Sequence, residues 1–126
     1  WFHFGYGFVP DERVQCYLNA CDVLLVQRWR PLNSSNLILG FTFGKVVVGP
    51  DTGNVGEILR QAGNPTYDPE NTGSVVKALQ SGFRLAAQGL GAANRQYALE
   101  HWDAHAIAHK QLALYESLLS MRVGQS

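Results

Sequence analysis

The chain has 126 residues, 46% of them hydrophobic and 16% charged, and its 10 basic residues balance 10 acidic ones. This composition is typical of a single folded domain with a hydrophobic core and excludes an intrinsically disordered chain. The lack of a basic excess argues against a dedicated nucleic-acid-binding protein, although backbone amides can hold a phosphate without adding net charge.

The first half of the chain alternates predicted strands with predicted helices. Residues 1–4 predict a strand, and Pro10 suits the first position of a helix whose apolar face carries Val14, Tyr17, Leu18 and Cys21. The apolar runs at 23–26 and 46–48 do not alternate with polar residues, as expected for parallel strands covered on both faces. A short apolar helix is predicted between them at 37–43.

The second half of the chain is predicted to be mostly helical. Helices are expected at 55–61 and 72–86, with a short strand at 66–67 between them, and from Leu90 onward only helices, with a break between 100 and 103. The apolar stripe of the last helix consists of Ile107, Leu112, Leu114, Tyr115, Leu118 and Leu119. This order predicts an α/β fold, with a Rossmann-like parallel sheet and helices on both faces over 1–86, followed by extra C-terminal helices over 87–122.

The two cysteines, Cys16 and Cys21, are too few for a disulfide framework. We therefore expect reduced, buried thiols and a cytoplasmic location. No apolar run approaches the length of a transmembrane helix, and the first residues lack the basic region of a signal peptide. Because the chain opens inside an apolar strand without an initiating Met, we expect it to be a piece of a longer protein.

Two loops are the candidate ligand site, because ligands of doubly wound sheets bind where strand carboxyl ends meet helix N-termini. They are the segments 27–36 and 49–56, both rich in small and polar residues. The first loop ends on four polar residues: Asn33, Ser34, Ser35 and Asn36. Free amides, hydroxyls and the positive end of a helix dipole predict a diphosphate cradle there. An ordinary helix cap with nothing bound is the alternative.

Three further side chains are candidates at these loops. The carboxylate of Glu57 is suited to accept hydrogen bonds from sugar or ribose hydroxyls, or it is simply a first-turn Glu stabilised by the helix dipole. Arg28 and Arg30 are suited to neutralise a diphosphate, with Trp29 stacking on a base or sugar. Packing of this loop against another domain is the alternative.

Several other kinds of site are disfavoured. Ser34 and Ser35 have no His in a nucleophile-elbow context, and the glycines form neither a dinucleotide-binding nor a Walker pattern. His101, His105 and His109 recur every four residues, a spacing that can bind a transition metal. A polar, partly exposed helix face is the favoured interpretation of the three, so we expect neither a metal nor another cofactor.

The motifs also follow one another in the order of a known family. The similar stretches are GFVP at 7–10, YLNACDVLL at 17–25, the block 34–48, DTGNVGEIL at 51–59, YDPEN at 67–71, AL at 78–79, HW at 101–102 and LYESLL at 114–119. Together they resemble the C-terminal, nucleotide-sugar-binding domain of GT-B glycosyltransferases of the retaining, family-four (group 1) type.

The resemblance implies a function and a set of partners. The donor would be a UDP-, GDP- or ADP-sugar, and the acceptor a glycan or lipid held by an N-terminal domain absent from residues 1–126. We therefore expect a cytoplasmic hexosyltransferase of polysaccharide biosynthesis, acting at the inner face of the membrane through the missing part. The fragment alone would be inactive, because half of the cleft is missing.

The chain departs from the family pattern in one important way. Many members carry two glutamates separated by seven residues, and these positions hold Pro31 and Leu39 here. Val46 also replaces a proline that is common after the Gly-Lys pair. Since the second glutamate normally contacts the donor ribose, a non-catalytic GT-B-like domain that serves as a binding or assembly module is the alternative function.

Overall fold

The computed structural model describes Gly5 and residues 7–27 and 34–123. For Val123 it describes the backbone alone. The elements are α1 (Asp11–Ala20), β1 (Val23–Leu25), α2 (Ser35–Thr42), β2 (Val46–Pro50), α3 (Gly53–Gln61), β3 (Thr66–Tyr67), α4 (Thr72–Ala87), α5 (Leu90–Trp102) and α6 (Ala104–Val123). Every helix and strand predicted for these residues is present, with bounds that differ by at most two residues. The strand predicted at 1–4 lies outside the described residues.

The three strands form an open parallel sheet in the order β1-β2-β3. Val23 pairs with Val46 and Leu25 with Val48, while the last part of β2 pairs with β3, Gly49 opposite Thr66. Each connection between neighbouring strands runs through a helix, as parallel pairing requires. The predicted α/β class with a parallel sheet is therefore confirmed.

Alternate side chains of β1 and β2 enter two hydrophobic cores, one on each face of the sheet. Leu24 and Val47 face the first core, and Val23 and Val48 face the second. The first core is closed by α2, α3 and α5, through Leu37, Phe41, Val55, Leu59 and Ala98. The second core is closed by α4, which contributes the buried Ala78. Helices thus cover both faces, as predicted.

Two glycines let helices lie directly on the central strand. A Cβ atom at Gly40 of α2 would be 2.5 Å from Cγ2 of Val47, and one at Gly82 of α4 would be 2.8 Å from Cγ2 of Val48. These valines are neighbours on β2 and point to opposite faces, so the two helices clamp the strand from both sides. Any larger residue at either glycine would push its helix off the sheet.

A pair of buried carboxamides joins α5 to the amino end of the sheet. Asn94 is fully buried and Asn64 is 5% exposed. The Asn64 amide donates to Oδ1 of Asn94 over 2.7 Å, and the Asn94 amide donates to Oδ1 of Asn64 over 2.9 Å. Asn94 also donates to the Lys45 carbonyl, and the Val47 N–H donates to Oδ1 of Asn64. The pair therefore satisfies backbone groups at and just before the start of β2, where β3 does not reach.

The predicted break between the last two helices is confirmed at Asp103. This residue has an extended backbone at the C-terminus of α5, and its carboxylate accepts hydrogen bonds from the backbone N–H groups of His105 and Ala106. Asp103 therefore ends one helix and caps the next, which is the role an acidic residue plays best at a helix N-terminus.

The apolar stripe of α6 is not buried. Its six predicted residues are between 40% and 63% exposed, because α6 packs chiefly against α5 within the described part of the chain. An amphipathic pattern reports that a face is apolar, but it does not report what covers it. No helix among the described residues is long and apolar enough to cross a membrane.

The expectation of two buried thiols is wrong for Cys16. This cysteine and its neighbour Tyr17 are exposed on α1, whose buried residue is Leu18. Cys21 follows the end of α1 and is partly buried, with its thiol donating to the Leu18 carbonyl. Both cysteines are free. The burial prediction failed at Cys16 because the buried face of α1 is narrower than the sequence pattern indicated and contains Leu18 but not Cys16.

Replacing Asn94 with Ala should lower the free energy of unfolding by about 3 kcal/mol, because it removes three hydrogen bonds, the two exchanged with Asn64 and the one to the Lys45 carbonyl. Urea unfolding followed by circular dichroism measures the change. Gln96→Ala on the same helix is the matched control, since Gln96 is exposed and bonds to Glu100, and it should change stability by less than about 0.5 kcal/mol. Equal losses in the two variants would contradict the role assigned to the carboxamide pair.

Candidate functional site

The carboxyl ends of the three strands are held together by a short chain of hydrogen bonds. The Val26 N–H donates to the Val48 carbonyl over 2.8 Å, and the Asp51 N–H donates to the Tyr67 carbonyl over 2.8 Å. The Tyr67 hydroxyl donates to the Val26 carbonyl over 2.7 Å, spanning from β3 to the end of β1. These bonds connect all three strands at the edge of the sheet from which the two candidate loops depart.

Tyr67 owes its altered acidity to its place in the second core. Its ring packs with Val48 and Ala78, and burial raises the pKa of the phenol above its ordinary value of 10.0 because the charged form loses its hydration. The neutral hydroxyl is the form that can donate to the Val26 carbonyl. Tyr67 is therefore a structural support of the carboxyl edge.

The first candidate loop leads into the N-terminus of α2. Ser34 is the N-cap residue with an extended backbone, and its side chain makes no capping hydrogen bond. Ser35 and Asn36 follow in the first turn and are exposed. The alternative of an ordinary side-chain cap is thus not realised at Ser34, and the hydroxyls stand beside the free amides of the first turn. Arg28, Trp29, Arg30, Pro31 and Asn33 lie outside the described residues.

The second candidate loop is a tight turn into α3. Thr52 is its N-cap, and Gly53 begins the helix with a φ of +54°, a conformation that favours glycine. A Cβ atom at Gly56 would lie 2.9 Å from the backbone of Asp51, so the first turn of α3 approaches the end of β2 closely. The Asp51 carboxylate is paired with Arg60 at the surface.

Thr52 carries a polar atom without a partner at the end of β2. Its Oγ1 is buried and has no hydrogen bond to any described residue, and it does not cap α3. Sequence reasoning missed this residue, although its place directly before Gly53, in the turn after a buried strand, is the same position that Ser34 occupies before α2. A buried hydroxyl without a partner among the described residues calls for one, and a bound water, ion or ligand group is such a partner.

Glu57 lies one turn inside α3 and is exposed. Its carboxylate accepts a hydrogen bond from the amide of Gln61 over 3.3 Å, a pair on one face of the helix. Since no acidic residue lies in the first turn of α3, the alternative of a dipole-stabilised first-turn glutamate is wrong. The carboxylate keeps further acceptor capacity for hydroxyls.

Taken together, two helix N-termini meet at neighbouring strand ends. β1 and β2 are parallel and adjacent, so the starts of α2 and α3 lie at the same edge of the sheet, with Ser34, Ser35 and Asn36 on one and Thr52 on the other. Two helix dipoles and their free amides make this edge suitable for an anion.

The three histidines do not share one helical face. His101 belongs to α5, where its ring stacks edge-on against Tyr97 at 4.1 Å, whereas His105 and His109 belong to α6 beyond the break at Asp103. Their regular spacing thus predicted an alignment that the break removes. Within the described ranges, no three or more His, Cys, Asp or Glu side chains are grouped to hold a metal ion.

Comparison of the chain with protein-family models, with curated proteins and with solved structures finds no match in any of the three.

Replacing Tyr67 with Phe should lower the free energy of unfolding by about 1 kcal/mol at about pH 8, because the hydrogen bond to the Val26 carbonyl is lost. The Tyr67 phenol ionises at a higher pH in the folded chain than in the unfolded chain. Its contribution to stability is therefore fully present below pH 10, and it is lost as the pH rises through the folded-state pKa. The difference in free energy of unfolding between the parent chain and Tyr67→Phe should therefore be smaller at about pH 11 than at about pH 8. Urea unfolding at both pH values measures it, with the exposed Tyr115→Phe as control, and a gap that does not change with pH would contradict the assignment.

Proposed function

We propose that this chain is the nucleotide-sugar-binding part of a retaining GT-B glycosyltransferase, with its parallel sheet as the Rossmann-like half of the C-terminal domain. The observation that carries the proposal is the pair of helix N-termini at the ends of β1 and β2, where the side chains of Ser34 and Thr52 have oxygens that do not cap their helices. Doubly wound sheets bind phosphate-bearing ligands at such an edge. The order of family motifs along the sequence supports the same function.

In this proposal the donor diphosphate lies against the start of α2. The amides and side chains of Ser34, Ser35 and Asn36 bind its oxygens, and the Thr52 hydroxyl donates from the start of α3. Glu57 accepts hydrogen bonds from sugar or ribose hydroxyls. Arg28 and Arg30, together with Asn33, complete the site from the loop before α2.

The reaction would be catalysed by positioning and by stabilising the leaving group. The bond between the anomeric carbon and the diphosphate oxygen breaks, and the electron pair leaves with the diphosphate. A new bond forms from the anomeric carbon to an acceptor hydroxyl oxygen, whose proton is released. Two helix dipoles and the amide groups stabilise the negative charge that develops on the diphosphate. The acceptor, a glycan or lipid, would be bound by the N-terminal domain at the cytoplasmic face of the membrane.

The second candidate is a GT-B-like domain that binds without catalysing transfer. It is favoured by the two positions at which family members carry glutamates, because Pro31 stands at the first and Leu39 at the second. Leu39 is 37% exposed on α2, so an apolar side chain stands where a ribose-binding carboxylate is expected. Such a domain would serve as a binding or assembly module.

Calorimetry of the complete protein against UDP, GDP and ADP tests the donor site. We expect one of the three to bind, and Thr52→Val to weaken its binding about tenfold, because a hydrogen bond to a charged diphosphate is lost. The same variant should keep or raise the free energy of unfolding of the unliganded protein, since the buried hydroxyl has no partner there. Weaker nucleotide binding without a loss of stability would show that the Thr52 hydroxyl binds the ligand, whereas a structural role of this hydroxyl would lower the stability as well.

The matched control is Thr42→Val on α2, whose hydroxyl bonds to the Ile38 carbonyl within its own helix. It should leave nucleotide binding unchanged. If none of the three nucleotides binds the parent protein, the donor-site proposal is wrong. If a nucleotide binds but neither transfer nor hydrolysis of its sugar is detected with acceptor glycans or lipids, the non-catalytic module is favoured over the transferase.

A further inference from the structure

A polar cavity, open to solvent, lies between α4 and the β3 edge of the sheet. Its volume is about 660 Å³, within the range of small-molecule sites. It is lined on one side by the segment that leads into β3, including Pro65 and Thr66, and on the other by one face of α4. None of the residues of the proposed donor site lines it.

The face of α4 that lines this cavity is cationic. Ser74, Lys77, Ser81 and Arg84 recur at a spacing of three and four residues, so they lie along one side of the helix. Helix α4 contains no Asp or Glu, and no carboxylate is found among the described residues that line the cavity. Lys77 and Arg84 form no ion pair within the described part of the chain. Two positive charges are thus presented without a neutralising partner.

Neutral donors lie between and opposite these charges. The Ser81 hydroxyl is partly buried and makes no hydrogen bond to any residue that the structure describes. Across the cavity, the carbonyls of Pro65 and Tyr67 accept hydrogen bonds from β2, so Thr66 between them directs its own N–H and carbonyl outward. No described strand pairs with β3 on that side. The cavity therefore offers cations at two points and hydrogen-bonding groups between them.

The spacing of the cations sets the shape of the ligand. Lys77 and Arg84 are seven residues apart, so their Cα atoms are separated by about 10 Å along the helix. One compact anion cannot reach both at hydrogen-bonding distance without both side chains folding inward. Two anionic groups at opposite ends of a small polar molecule fit the arrangement, with hydroxyls in the middle for Ser81 and Thr66.

We propose that this cavity is a binding site for a small bisphosphorylated ligand of the sugar-bisphosphate class, separate from the carboxyl edge. One phosphate pairs with Lys77 and the other with the guanidinium of Arg84, which is suited to bidentate binding of phosphate. The carbon chain between them lies over Ser81 and the open edge of β3. Such a site would let the protein respond to a metabolite that differs from the ligand of the carboxyl edge.

Calorimetry of the complete protein with fructose 1,6-bisphosphate tests the proposal, with fructose 6-phosphate, inorganic phosphate and pyrophosphate as comparison probes. We expect the bisphosphate to bind at least about tenfold more tightly than each of the other three, because only it reaches both cations. Lys77→Gln and Arg84→Gln should each weaken its binding about tenfold. Both side chains are exposed, so unchanged unfolding midpoints are expected and verify that the variants are folded.

The matched control replaces one exposed cation of α6 at a time, Lys110→Gln or Arg122→Gln, and so makes the same change in net charge away from the cavity. It should leave binding of the bisphosphate unchanged. Equal weakening in the control, or binding of pyrophosphate as tight as that of the bisphosphate, would overturn the proposal, as would no binding at all. Addition of the nucleotide that binds the carboxyl edge should not displace the bisphosphate. The result for this cavity is therefore independent of the result for the proposed donor site.

Discussion

Two buried carboxamides at the amino end of β2 determine how the rest of the molecule is arranged. Asn64 and Asn94 exchange two hydrogen bonds and also satisfy the Val47 N–H and the Lys45 carbonyl, groups that β3 is too short to reach. Backbone groups that are buried without a partner are costly. The pair therefore makes the hydrogen bonds that a longer third strand would otherwise make to the start of β2. It also fixes α5 on the first core, and α5 in turn positions α6.

The two edges of the sheet therefore differ in how their polar groups are used. At the amino edge, the described polar side chains of the carboxamide pair are fully engaged with one another and with the backbone. At the carboxyl edge, Tyr67 ties the strand ends together, while the oxygens of Ser34 and Thr52 leave the starts of two helices uncapped by side chains. An edge whose strand ends are already joined by hydrogen bonds and which has free donors is preorganised for an anionic ligand, because little has to be reordered on binding. This difference is the physical reason why we place the proposed donor site at the carboxyl edge.

Much of this arrangement could be predicted from the sequence, and the failures share one cause. The strand at β2 and the break at Asp103 were predictable because unbroken apolar runs and helix breaks are local signals. The exposure of Cys16 and of the α6 stripe was not, because burial depends on which element packs against a face. Asn64 and Asn94 are 30 residues apart, and nothing in either local sequence indicates their pairing. Of the predicted site, Ser34 to Glu57 can be located, whereas Arg28, Arg30 and Asn33 lie outside the described residues.

The carboxamide pair also has a consequence for the order of folding. Asn94 bonds to a side chain 30 residues away and to the Lys45 carbonyl 49 residues away, so its hydrogen bonds close long loops of the chain. Contacts between distant residues form after local ones, since the entropy of loop closure must be overcome first. The sheet and its first three helices can therefore assemble before α5 docks. We therefore expect loss of the carboxamide hydrogen bonds to increase the rate of unfolding more than it decreases the rate of folding.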